Sequence, residues 1–474
     1  MTWKWIVKIT QAINFLLILG WQLTSGAQTT PIKEGICAIQ LGEAIDAIVS
    51  RHQFRRERWG ILVETLSRSE RPLYSRESER YFTPASVTKL LTTAAALQKL
   101  GSSFRIRTSV YSFPNREELR VVGRGDPTLT DAQLIALAKQ LRSKGITRVK
   151  KLIAEDSYFR GNQVNPNWEW EDIQAGYGTA VNSLILNQNS IDLILSPRAV
   201  GQPLDVTWVN PKEAANWQIE NNSQTVSADA EEFVKVGRDF AKPIIRISGQ
   251  LRVDSQSEPV YVAVIAPAER FLQGFREALA AEGISVEQAS VSMSSINNLG
   301  EMELAAVESP PLSELVKQTN QESNNLFAEV LLRLLAADKA EADTAAAGLN
   351  VLKYTLRQLG VTPDSYILAD GSGLSRHNLI SPEALVQTLR GMASTPVGEI
   401  YRASLPAPRR FGAGIVQAKT GSMTGVSTLS GYVNPPDYQP LVFSIMLNHS
   451  SQPASAQRQA IDEIVLLLTR LRRC

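Results

Sequence analysis

Ser86 and Lys89 stand three residues apart in "TPASVTKLLTTAAAL" (83–97), a run otherwise apolar or hydroxyl-bearing. On a helix, positions i and i+3 share a face. A lysine in such a run is either a surface side chain reaching for water or a base held away from it. A serine hydroxyl is a weak nucleophile until a base takes its proton. Lysine can be that base only where burial or a nearby cation lowers its proton affinity, and the apolar surroundings are compatible with burial. Ser86 also falls near the predicted helix start, with Thr83 as candidate N-cap and Pro84 in the first turn. Free backbone N–H groups there favour the oxyanion that forms when a serine attacks a carbonyl. Ser-x-x-Lys is short enough to arise by chance, so it needs companions.

Two further stretches supply them. "AKTGSMTG" carries Lys419, Thr420, Gly421 and Ser422 at the end of a strand-like run. A lysine gives charge, a threonine a hydrogen bond and a glycine close backbone approach, which together make an edge for a ligand carboxylate. "QESNNLFAEVLL" carries Ser323 and Asn325, a hydroxyl and an amide able to relay a proton and fix a nucleophile. "SSINN" repeats Ser-x-Asn at Ser295 and Asn297, but it precedes Leu-Gly and reads as a polar turn, whereas Ser323 leads into a long apolar helix. "DGSGLSRHN" places Asp370, Ser372 and His377 close together, yet it lacks the Gly-x-Ser-x-Gly frame of a nucleophile elbow. It is read as a structured loop near the site, and "GDP" at 125–127 as a turn.

The elements that must position these residues fall into three textures. Residues 38–100 mix helix and strand patterns, with "QLGEAIDAIVS" helical, "RWGILVETL" a strand, and then the serine helix. From about 104 to 265 short alternating or β-branched runs dominate, interrupted by two helices that each end in glycine. From about 305 long helices return, then three strands and a closing helix. The simplest partition is one mixed α/β domain, 38–100 with 305–474, split by a β-rich insertion at 101–304 of one or two subdomains.

The 474 residues suit two or three domains. Residues 1–27 carry Lys4 and Lys8, an apolar stretch and small residues before Gln28, the order of a cleaved secretory signal. Without them 47 basic residues face 47 acidic ones, so no basic excess suggests nucleic-acid binding. The three histidines are too scattered for a metal site, and no cofactor is implied. The two cysteines, Cys37 and Cys474, are free to pair after export if their Cα atoms come within about 7 Å.

The order Ser-x-x-Lys, Ser-x-Asn, Lys-Thr-Gly resembles the serine acyltransferase set of penicillin-binding proteins and β-lactamases. Longer strings, "GDPTLT", "EDSYFRG", "NSLILNQN", "SNNLFAEVLLR", "DGSGLSRHN" and "KTGSMTGVSTLSGYV", look like the D-alanyl-D-alanine carboxypeptidase/endopeptidase family that carries a large insertion. The resemblance implies an α/β (α+β) fold: a central antiparallel sheet with helices on both sides and the serine helix in the middle. It implies that a peptidoglycan stem peptide acylates Ser86, with Lys89 as base and Ser323 passing a proton to the leaving amine. Asn325 would hold the acyl side, Lys419, Thr420 and Gly421 the carboxylate end, and the Ser86 and Ser422 N–H groups the oxyanion. β-Lactams would be covalent inhibitors, and the protein periplasmic or secreted with a loose association to the membrane surface. Ser-Asn-Asn stands where relatives have Ser-Asp-Asn, and Ser422-Met423 where Thr-Leu is usual. The rivals are a β-lactamase, against which no separate deacylating glutamate is identifiable, and a catalytically silent peptidoglycan binder.

Overall fold

The computed structural model describes residues 35–67, 71–113, 117–296, 300–339 and 341–474; the expected signal segment 1–27 lies outside them. Among the described residues no helix is long and apolar enough to cross a membrane.

The C-terminal strands and the N-terminal strand build one antiparallel sheet. Its order is Val416–Met423, Val426–Val433, Leu441–Asn448, Arg58–Thr65 and Tyr74–Arg76. Every residue of Val426–Val433 and Leu441–Asn448 is buried. That follows from their unbroken apolar and small-residue sequences, which fit strands covered on both faces. Helices Leu41–Val49 and Ala454–Thr469 cover one face around Ile45, Phe443, Ile461 and Val465. The other face carries the serine helix, Lys89–Leu100, surrounded by Leu312–Gln321, Asn325–Leu334, Thr344–Gln358 and Pro382–Ala393. Nine consecutive residues of the serine helix, Lys89 to Leu97, are buried. It is buried all round, as a helix apolar on every face must be, and Leu91→Ala there would cost about 2–5 kcal/mol.

The hydroxyls in that helix have partners. Thr92 Oγ1 donates to the Gly371 carbonyl at 2.6 Å and Thr93 Oγ1 to the Lys89 carbonyl at 2.6 Å. The chain entering the helix is held by Asn448, whose amide bonds both the N–H (2.7 Å) and the carbonyl (3.1 Å) of Thr83. Thr83 does not cap the helix: Pro84 is the cap residue, and a 3₁₀ turn, Ala85–Thr88, precedes the α-helix. Ser86 therefore sits in that tighter turn.

Between the two halves of this body lies a five-stranded mixed sheet, in the order Ser285–Ser292, Arg148–Glu155, Glu118–Val122, Arg107–Ser112, Met302–Glu308. Helices Asp131–Ser143 and Pro267–Ala281 pack on it through Leu134, Leu137, Phe271 and Phe275. Two three-stranded sheets follow around Leu193, Ile245 and Ile247. The connection 156–189 returns from these sheets to the body, where Phe159 and Trp168 enter the helix-side core. The chain ends are tied together: Ile36–Cys37 pairs in parallel with Leu471–Arg472, and Cys37 is disulfide-bonded to Cys474 with Cα atoms 5.6 Å apart.

Candidate active site

The three motifs meet at the start of the serine helix. Lys89 Nζ lies 2.9 Å from Ser86 Oγ, 2.6 Å from Asn325 Oδ1 and 2.7 Å from the Ser372 carbonyl. Lys419 Nζ lies 2.8 Å from Ser323 Oγ and 2.8 Å from the Thr420 carbonyl. Ser86 is half-buried, whereas both lysines are buried.

Burial sets the charge of the lysines. It disfavours the ammonium form of Lys89, against the pull of Asp370 and Glu329, and brings its pKa from 10.5 down to about 7. Lys419 is held well below its ordinary value, first by burial and then by the neighbouring Lys89. The partners of Lys89 then decide where its lone pair goes. A neutral amine has two N–H bonds and one lone pair. The Ser372 carbonyl only accepts. Asn325 presents its oxygen because its Nδ2 donates to the Tyr177 carbonyl at 3.0 Å, which fixes the orientation of the amide. Both N–H bonds are thereby claimed, and the lone pair faces Ser86 Oγ. Protonated, the same nitrogen satisfies all three acceptors and cannot take a proton.

The Lys-Thr-Gly strand, Val416–Met423, is the edge of the main sheet. Its side chains alternate: Lys419 and Gly421 are buried, Thr420 and Ser422 exposed. Gly421 allows the strand to approach the serine turn, since a Cβ there would stand 2.8 Å from Ser86 N and 2.8 Å from the Pro84 carbonyl. Two non-glycine residues at the site have left-handed backbone, Ala85 (φ 51°) and Ser323 (φ 57°). Such conformations cost on the order of 1–3 kcal/mol and persist where surrounding structure over-determines them. Neither had a signal in the sequence.

The structure thus brings together Ser86, Lys89, Ser323, Asn325, Lys419 and Gly421, with Thr420 and Ser422 on the same strand. Ser295 is elsewhere, in the stretch where Ile296 N reaches Glu155, and Asn297 lies outside the described residues. The 370–378 loop lies beside the site, as its sequence suggested, and it does so through backbone: the Ser372 carbonyl accepts from Lys89 Nζ. Gly373 lets this loop pass against Ala85. Asp370 holds it from inside, accepting from Gly373 N (2.8 Å), Ser375 N (2.7 Å), Asn378 Nδ2 (2.7 Å) and Trp168 Nε1 (2.9 Å). Gly125-Asp126-Pro127 is a turn in which buried Asp126 accepts from Thr128 N at 2.9 Å. Tyr177 and Trp168 were not anticipated, because nothing in their local spacing says that the 156–189 connection folds back over the site.

A central antiparallel sheet flanked by helices, with Ser-x-x-Lys leading into the buried central helix and Lys-Thr-Gly on the edge strand, is the penicillin-binding/β-lactamase-like fold. The chain belongs to the D-Ala-D-Ala carboxypeptidase 3 (S13) family, whose model matches residues 41–471, and its enzyme class is the serine-type D-Ala-D-Ala carboxypeptidase. It is 33% identical over 461 residues to the D-alanyl-D-alanine carboxypeptidase of Actinomadura sp. (strain R39), covering 91% of this chain and 83% of that one. It is 30% identical over 467 residues to the penicillin-sensitive carboxypeptidase A of Dictyostelium discoideum, covering 87% of each. Penicillin-binding protein 4 from Haemophilus influenzae has the same fold, with a TM-score of 0.76 at 21% identity over 90% of this chain and 98% of that one.

Proposed function

We propose that Ser86 is the nucleophile and Lys89 its general base. Neutral Lys89 takes the Ser86 proton as Oγ attacks the penultimate D-Ala carbonyl of a stem peptide. The Ser86 and Ser422 N–H groups receive the oxyanion. As the oxyanion collapses and the C–N bond breaks, the proton that Lys89 took from Ser86 passes by way of the Ser323 hydroxyl, which gives one proton and regains one, to the departing D-amino acid nitrogen. Lys89, neutral again, then deprotonates the water that hydrolyses the ester. Lys419 and Thr420 bind the terminal carboxylate, with Gly421 leaving room for it, and an extended peptide can add to the edge strand by backbone hydrogen bonds. Asn325 borders the acyl side while orienting Lys89. The observation that carries this reading is the buried Lys89, whose two acceptors leave its lone pair to Ser86.

The same chemistry serves a DD-endopeptidase when the leaving amine belongs to a cross-linked neighbour. β-Lactams enter by the same route, in keeping with the name of the Dictyostelium relative. The reaction belongs outside the cytoplasm, where peptidoglycan is and where the Cys37–Cys474 bridge persists. The catalytic body is 38–100 with 305–474, and 101–304 is an insertion beside it. Purified monomeric and cross-linked muropeptides, followed by mass spectrometry, test the proposal. Loss of a terminal D-Ala, with or without cross-link cleavage, is the expected result. Fast cephalosporin turnover without D-Ala release would indicate a β-lactamase instead, and binding without any turnover a silent binder.

A further inference from the structure

Glu329 is a carboxylate with no part in the chemistry above, yet it is wholly buried one turn after Asn325 on helix Asn325–Leu334. The ordinary reading is half of an i, i+4 ion pair, since its Oε2 lies 3.2 Å from Arg333 Nη1. Its other oxygen is committed elsewhere. Oε1 accepts from Gly371 N at 2.8 Å and from Ser372 N at 2.9 Å. Those two amides belong to the turn whose Ser372 carbonyl takes a donor of Lys89 at 2.7 Å. One helix therefore governs both acceptors that orient the Lys89 amine: Asn325 directly, and Glu329 through the backbone of the 370–373 turn.

We propose that Glu329 is a positioning residue for acyl transfer, fixing the Ser372 carbonyl through the Gly371 and Ser372 N–H groups so that the Lys89 lone pair is left facing Ser86. The geometry explains why a carboxylate, and not an amide, is buried here. Two convergent backbone N–H groups are held by a single oxygen, which an anion does with stronger hydrogen bonds. Arg333 pairs with the other carboxylate oxygen, and its second terminal nitrogen reaches the Asn162 carbonyl at 3.2 Å. The charged groups facing Lys89 are Glu329 on this helix, Asp370 on the loop and Lys419 on the edge strand. Burial pushes the Glu329 carboxyl up, against the pull of Arg333 and of the Gly371 and Ser372 N–H groups. Removing its carboxylate leaves Asp370 as the anion that favours the ammonium form of Lys89, so that form becomes less favourable. This inference rests on Lys89 being the base.

Glu329→Gln keeps the volume and an acceptor oxygen while removing the charge. The test is the second-order rate of acylation by a fluorescent penicillin from pH 5 to 9, with labelled sites counted at completion. The expected result is an acidic limb displaced by about one pH unit to lower pH, with the plateau reduced at least ~10-fold per labelled site as the amine loses its fixed orientation. A residue that only stabilises the fold would lower the number of active sites and leave the limb where it was; that result overturns the proposal. If Glu329→Gln does not fold because Arg333 is left unpaired, Glu329→Gln with Arg333→Gln removes both charges together, and a plateau per labelled site equal to that of the wild type in that protein overturns the proposal. A wild-type rate with no acidic limb would remove the assignment of Lys89 as base, and this inference with it.

Discussion

Acidification below about pH 7 should silence acylation without further change in the stability that Lys89 governs. Lys89 is neutral only above a pKa of about 7. Between pH 8 and pH 5 its neutral fraction falls about 100-fold, and the acylation rate should fall with it. Stability does not follow the same curve. A folded-state pKa depressed from 10.5 to about 7 means that the unfolded chain binds more protons between those two values. Stability contributed by this group is therefore full above pH 10.5, declines as pH falls to 7, and is constant below, where both states are protonated. The total is roughly 5 kcal/mol, spent above the range in which catalysis is lost. Stopped-flow acylation by a fluorescent penicillin, with denaturation midpoints at each pH, separates the two. Lys89→Arg should be slower by about 10²–10⁴ and flat with pH, because guanidinium keeps its proton. Acylation that is level from pH 5 to 8, or near-normal in the arginine protein, would refute the reasoning.

Other outcomes follow from neighbouring geometry. Raising the pH should weaken capture of the substrate carboxylate, because Lys419 loses its proton more readily than an ordinary lysine; KM for a pentapeptide stem should rise on the alkaline side. Gly421→Ala places a Cβ 2.8 Å from two backbone atoms of the serine turn, so acylation should fall by about 10² in a folded protein, read by the same labelling assay. Breaking the Cys37–Cys474 bridge by Cys37→Ser should lower unfolding stability by about 2–5 kcal/mol in a denaturant titration. Non-reduced peptide mapping should recover the two cysteines as one linked pair.

That the candidate residues would meet was legible because their pattern is local or nearly so. Ser86 and Lys89 are one helical turn apart, and Lys419 to Ser422 are consecutive on a strand, so residue type and spacing carry their geometry. The sheet and its helices were legible too: "VSTLSGYV" and "PLVFSIMLN" read as strands, and the apolar serine helix as central. The 3₁₀ turn at Ala85–Thr88 was not, since the contacts at its entry are long-range: Asn448 holds Thr83 across 365 residues of sequence. The backbone partners of Lys89 and Asn325, the Ser372 and Tyr177 carbonyls, leave no mark on side-chain patterns at all. Glu329 did leave one. With Arg333 it interrupts an otherwise apolar helix, as Lys89 interrupts the serine helix, and in both places a charge among apolar neighbours marks a buried polar group with assigned partners.

The central claim is that Ser86 is the nucleophile. Mass mapping of the penicillin-treated protein tests it most directly: digestion should yield one penicilloyl-modified peptide spanning residues 83–97, with the adduct on Ser86 and absent from the Ser86→Ala protein. An adduct on Ser323 or Ser372, or one that survives Ser86→Ala, would contradict the account.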